Sequence, residues 1–195
     1  MVDECYEQFQ YDGRKHTSMA SLNGMRERTI TIGTTSKIYN MFGWRIGWVI
    51  SSAEIIKPTL AIHSHSVTCP TSFAQAGAVA ALKADIVQGD VPLKEMIQNY
   101  QKQRDALIKG FLQIPDVTCV KPLGAYFAFP NFKKYGKTSA ELCNYFIDEA
   151  RIGSTPGSSF GSQGEGHLRF VFNSPEGEIA SGMERIASAL GKLKK

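Results

Sequence analysis

Gly33-Thr34-Thr35-Ser36-Lys37-Ile38-Tyr39-Asn40-Met41-Phe42-Gly43-Trp44-Arg45-Ile46-Gly47-Trp48 is the stretch that decides how this chain is read. A lysine follows a hydroxyl cluster, and an arginine stands eight residues further on. The preceding Thr29-Ile30-Thr31-Ile32 is β-branched throughout with period two, which predicts a strand. The hydroxyls and Lys37 then fall at its C-terminal end, where open α/β sheets place ligands. Near the first residue stands Asp3-Glu4-Cys5-Tyr6.

An amine, a phosphate-sized set of donors, a carboxylate and a phenol are the groups needed to hold pyridoxal phosphate. The amine bonds the aldehyde, hydroxyls and a guanidinium clamp the phosphate, and the carboxylate keeps the ring nitrogen protonated. With these residues in view, the chain resembles the class I/II aminotransferases of the fold-type I pyridoxal phosphate enzymes. Six motifs carry the resemblance in order: Asp3 to Tyr6, Thr34 to Lys37, Gly43 to Gly47, Gly124 to Phe127, Pro156 to Gly161, and Leu168-Arg169. They run nearly the whole length of the chain. Members of that family are roughly twice as long, so the resemblance implies the C-terminal half only. The expected fold is therefore α/β. Residues 1–90 would form the C-terminal part of a large cofactor-binding domain with a mixed, mostly parallel sheet. Residues 91–195 would form a long connecting helix and a smaller α+β domain.

The resemblance also implies roles. Lys37 would hold the cofactor as a Schiff base and then shuttle a proton between the substrate Cα and the cofactor. Asp3 would keep the ring nitrogen protonated; Glu4 is its neighbour and competitor, but only Asp3 has the three-residue spacing to Tyr6. Tyr6 would donate to the ring phenolate. Thr34, Ser36 and Arg45 would contact the phosphate, a guanidinium matching it bidentately. Arg169 would bind the substrate α-carboxylate as a fork, with His167 standing where an aromatic is common. Each has a plainer reading, such as a surface lysine, a core tyrosine or a salt-bridged arginine. Tyr126 could line the pocket or belong to the core.

With 43% hydrophobic residues the chain can build a sizeable core. Its net charge of +4 is dispersed apart from the Lys192-Leu193-Lys194-Lys195 tail, which is read as a helix-dipole partner. No nucleic-acid or membrane partner is expected from it. The four cysteines are widely spaced, without a Cys-x-x-Cys pair, and read as reduced thiols in a cytoplasmic protein. His63 and His65 flank Ser64 with strand-like spacing; without a third ligand, no metal site is expected.

Elsewhere, Ile46 to Ile50 reads as a second strand and Ser72 as the start of an Ala-rich helix to about Lys83. Asp90 and Pro92 would open the longest helix, carrying Leu93, Ile97, Tyr100, Leu107 and Phe111 with Arg104 as a polar intrusion. Thr138-Ser139-Ala140-Glu141 is a capping box. Tyr126–Phe129 and Leu168–Phe172 read as strands. Ser174-Pro175 would open a last helix carrying Ile179, Met183, Ile186, Leu190 and Leu193.

The resulting expectation is an aminotransferase moving an amino group between an amino acid and a 2-oxo acid, homodimeric in its full-length form. A carbon–sulfur β-lyase on the same scaffold would share Lys37, Asp3 and Arg169. A non-catalytic fragment or interaction subunit is the alternative of a different class.

Overall fold

Pairing on both sides of one short strand organises the first part of the protein. In the computed structural model, which describes residues 1–88 and 91–193 (side chains of 85–88 and 91 excepted), β1 is Val2–Asp3, β2 is Thr31–Thr34 and β3 is Gly47–Ile50. β2 lies between the other two, parallel to β1 and antiparallel to β3. The sheet is therefore mixed. The strand expected at 29–32 is displaced two residues along the chain, because its hydrogen-bonded partners, Val2–Asp3 and Gly47–Ile50, face Thr31 to Thr34. Thr31 and Gly33 are buried on one face of β2, while Ile32 and Thr34 on the other are half-buried.

Directly after β2 the chain turns into the single-turn helix α1, Thr35–Ile38, with Thr34 as its N-cap. Helix α2, Ala53–Ser66, follows β3, and α3, Ser72–Gln88, begins where Ser72 was expected to open it. Helix α2 was not expected from sequence, and His63 and His65 lie on this helix, not on a strand. No residue of α2 is buried.

The described residues form two compact units, Met1–Ile97 and Gln98–Lys195. The division falls within α4, Val91–Leu112; Asp90, expected to cap that helix, lies outside the described residues. In the second unit, β4 (Phe127–Ala128), β5 (Thr155–Pro156) and β6 (Leu168–Val171) form an antiparallel sheet with β6 in the centre. The expected capping box is present at the start of α5, Ser139–Ala150. The last helix, α6 (Glu176–Leu193), buries Ile179, Met183, Ile186 and Leu190 as its period required. Phe111, Phe132, Phe146 and Phe170 meet at centroid separations of 5.1 to 6.5 Å and form the aromatic centre of this core. Arg104, the polar intrusion on α4, is fully buried. It donates to the Pro122 carbonyl at 3.0 Å and pairs with Asp105 at 2.9 Å. Tyr126 is a core residue, stacked on Tyr100 at 5.8 Å.

The architecture is thus α/β, with a mixed sheet and helices followed by a smaller sheet-and-helix region. Among the described residues no helix is long and apolar enough to cross a membrane.

Candidate active site

The ends of β1 and β2, the turn into α1 and the start of β3 surround a cleft of about 700 Å³. Asp3, Thr34, Ser36, Lys37 and Arg45 all line it, together with Cys5, Phe42 and Trp48. Five of the seven residues singled out from sequence are therefore neighbours in space. Tyr6 stands beside this group: the Lys37 Nζ lies 5.9 Å from its ring centroid. Arg169 belongs to the second unit and is described separately.

Local hydrogen bonding explains why Lys37 is presented. Thr34 Oγ1 accepts from the Ser36 backbone N–H at 3.1 Å, satisfying one of the unpaired donors of the first helical turn. Thr34 Oγ1 also lies 2.8 Å from the Ile46 carbonyl and 2.9 Å from Ser36 Oγ. Its single proton can serve only one of these. The carbonyl has no proton of its own to offer, whereas Ser36 can supply one. The arrangement that satisfies all three groups sends Thr34's proton to Ile46 and Ser36's hydroxyl proton to Thr34 Oγ1. Phe42, which sequence reading missed, places its ring 4.5 Å from Lys37 Nζ, a cation–π distance.

Arg45 is exposed, adopts the left-handed backbone conformation (φ 57°) and donates through Nη1 to the Phe42 carbonyl at 3.0 Å. Asp3 accepts from the Cys5 backbone N–H at 3.0 Å. Burial, with the Asp3 carboxylate alongside, pushes the Cys5 thiol up to about 11. At neutral pH it stays protonated, a poor nucleophile next to a lysine amine. Cys5 occupies the unspecified position of the Asp-Glu-x-Tyr pattern, so that pattern carried no signal for it.

Glu4 does not line the cleft. Its buried carboxylate accepts from Ser18 Oγ and Met19 N, both at 3.0 Å, and lies 3.4 Å from His16 Nε2. Burial opposes its ionisation, but these three partners outweigh that and hold the carboxyl below its usual range. Glu4, Glu7 and His16 come within 4.8 Å of one another. The Glu4 carboxylate is already committed to anchoring residues 16–19, which explains this grouping.

In the second unit, Arg169 on β6 lies between two rings, Phe127 at 4.6 Å and Phe160 at 4.7 Å. Its Nη2 approaches Thr155 Oγ1 at 3.4 Å, and its Nε is buried without a hydrogen-bond partner. A buried, unpaired donor on a cation is costly unless an anion is to meet it. The flanking phenylalanines were within reach of sequence reading, since both belong to quoted motifs.

A family model described as "Aminotransferase class I and II" matches residues 1–186. The chain is 36% identical over 192 residues to an aspartate aminotransferase of Pyrococcus abyssi, covering 98% of this chain and 49% of that protein. It is 35% identical over 194 residues to aromatic-amino-acid aminotransferase 2 of Thermococcus litoralis, covering 100% and 49%. The crystal structure of an aromatic aminotransferase from Pyrococcus horikoshii superposes with a TM-score of 0.93 at 36% identity, covering 98% of this chain and 51% of that one. The chain spans about half the length of the curated relatives it matches.

Proposed function

The chain belongs to the class I and II aminotransferases, and on that premise we propose that it carries the lysine-bearing part of a pyridoxal phosphate-dependent site for amino-group transfer. The observation that supports this reading is the convergence of Lys37, Asp3, Ser36 and Arg45 on one cleft. The donor set suits the cofactor: an amine for the aldehyde, a carboxylate for the ring nitrogen, and a hydroxyl with a guanidinium for the phosphate. When bound, the cofactor supplies a protonated pyridine ring that withdraws electrons from the substrate and acidifies its Cα–H.

The protein's part is binding, orientation and proton transfer. Lys37 Nζ would hold the cofactor through its aldehyde carbon and, as a free amine, would take the proton from the substrate Cα. The short α1 turn, fixed by Thr34, keeps Nζ and the Ser36 hydroxyl in a constant relation. Ser36 would turn its hydroxyl proton from Thr34 Oγ1 to a phosphate oxygen, Thr34 orients Ser36 at the rim of the same contact, and Arg45 would add charge. Asp3, held by the Cys5 N–H, would stabilise a positive ring nitrogen, and Tyr6 would donate its phenol proton to the ring oxygen. Arg169, with its unpaired Nε, receives the substrate carboxylate. The substrates of this reading are an amino acid and a 2-oxo acid. The reading includes a homodimeric full-length form, for which exposed Leu60, Ile62 and Phe73 supply apolar surface.

The test is direct. The purified chain is saturated with pyridoxal phosphate, reduced with borohydride and digested. Attachment at the Lys37 peptide, lost in Lys37→Ala, supports the assignment; attachment at a different lysine overturns it. Product analysis with amino acids and cysteine conjugates then separates transfer to 2-oxoglutarate from release of pyruvate and ammonia, the outcome of a β-lyase.

A further inference from the structure

We propose that Glu165 is a positioning residue for Arg169, acting as a latch between the N-terminus of α5 and the loop that carries Phe160. The proposal rests on reading Arg169 as a carboxylate receptor. Glu165 Oε1 accepts from the Ser139 backbone N–H at 2.6 Å and from the Gly166 N–H at 3.0 Å. Glu165 Oε2 accepts from the Ser139 hydroxyl at 3.1 Å. Ser139 is the first residue of α5, fully buried, and its N–H has no partner within the helix. The adjacent capping box serves the N–H groups of Glu141 and Thr138, and the Ser139 N–H falls to Glu165.

The latch continues through Ser139. Its hydroxyl proton goes to the charged carboxylate oxygen, the stronger acceptor, which leaves an oxygen lone pair for the Ser158 N–H at 3.3 Å. Ser158 lies in the 3₁₀ turn Gly157–Phe160, two residues before the ring that covers Arg169. The turn is pinned at its other side by close backbone packing: a Cβ on Gly157 would fall 2.0 Å from the Gly164 carbonyl oxygen. The Phe160 ring also meets Phe129 edge-on at 5.9 Å, and Phe129 stacks on His167 at 5.0 Å. A carboxylate remote from the guanidinium thus sets the ring that fixes its plane. Hydrogen bonds from Ser139 and Gly166 hold the Glu165 carboxyl below the usual range, so the latch is charged at neutral pH.

The experiment uses the full chain, ¹⁵N-labelled, with sodium propionate as the carboxylate probe. Solvent exchange of the Arg169 Nε–H reports how firmly the guanidinium is held; the propionate dissociation constant reports recognition. Glu165→Gln replaces an acceptor oxygen with an amide, and is expected to speed the exchange and weaken propionate by about tenfold, the range of a lost cation–π contact. Phe160→Leu should do the same, and the double variant should lose little more, since both act through one contact. Ser139→Ala, a milder cut in the same latch, serves if Glu165→Gln does not fold. A Glu165→Gln protein that melts earlier yet keeps wild-type exchange and propionate affinity overturns the proposal and leaves Glu165 a helix cap. The underlying reading is tested apart: loss of all propionate response in Arg169→Leu supports it. Absence of response in the wild type overturns it, while the exchange rates still decide the latch.

Discussion

The indole of Trp48 lies across Gly33, its partner in the β2–β3 register, so closely that a Cβ on the glycine would fall 2.4 Å from the ring. Both residues line the cleft around Lys37. The absent side chain at Gly33 lets a large flat ring form the wall beside the hydroxyl turn. Gly33→Ala should therefore displace Trp48 and cost about 1–3 kcal/mol, the range of an overpacked site. Denaturant melting measures the loss, and Trp48 fluorescence should shift with it. An unchanged spectrum at unchanged stability would contradict the account.

Arg45 occupies a conformation that side chains other than glycine rarely adopt, with φ at 57°. Such a residue carries about 1–2 kcal/mol of backbone strain. Replacement by glycine should make the protein slightly more stable and, on the proposed function, weaken its hold on pyridoxal phosphate. Arg45→Ala separates the two effects, keeping the strain and losing the guanidinium. Thermal melting and phosphate titration, run together on both variants, check the pair of expectations.

The Cys5 thiol, raised to about 11 by burial and by Asp3, should resist alkylation far into the alkaline range. Its folded value lies above the ordinary ~8.5, so the protonated thiol is favoured by folding. That contribution is complete below the unfolded value and is lost as pH rises through about 11. The rate of iodoacetamide labelling of the Cys5 peptide, followed by mass spectrometry, should climb only towards that pH. A plateau reached near pH 8.5 would show a normal thiol.

Arg169→Lys retains the charge between Phe127 and Phe160 but removes the planar fork and the unpaired Nε. A loss of about 2–3 kcal/mol in carboxylate recognition is expected, the scale of a charged hydrogen bond. Borohydride attachment of the cofactor at Lys37 should be unaffected. On the proposed function, steady-state kinetics should show the loss in kcat/KM for amino acids.

Thr138→Ala removes one half of the capping box of α5, where Thr138 Oγ1 receives the Glu141 N–H and Glu141 returns to the Thr138 N–H at 2.8 Å. It should cost about 1 kcal/mol. Circular dichroism during urea unfolding gives the number.

Sequence showed those elements whose signal is local. The capping box of α5 is written in four consecutive residues, and the stripe of α6 follows from one buried face. Helix α2 was hard to read for a physical reason: Pro58 interrupts it, and Ile55, Ile56, Leu60 and Ile62 do not keep a regular helical stripe. The cleft residues were legible as motifs, because Lys37, Ser36 and Arg45 lie close together in the chain. What sequence could not show is conformation and mutual geometry: the left-handed Arg45, the ring above Lys37, or the guanidinium sandwich on β6. Arg104 was legible as an exception to its stripe, but its partners, Asp105 and the Pro122 carbonyl, were not.

At the start of α5 two carboxylates, Glu141 and Glu165, meet backbone N–H groups within one turn. Both sit at the positive end of a helix dipole, and attraction of that kind is screened by dissolved ions. The aromatic core beneath is indifferent to such ions or strengthened by strongly excluded ones. Electrolyte thus acts unequally on the two parts of the second unit. Moderate sodium chloride should loosen the α5 start and the turn bearing Phe160 while the core holds, so ionic strength is a means of adjusting the Arg169 setting without changing a residue.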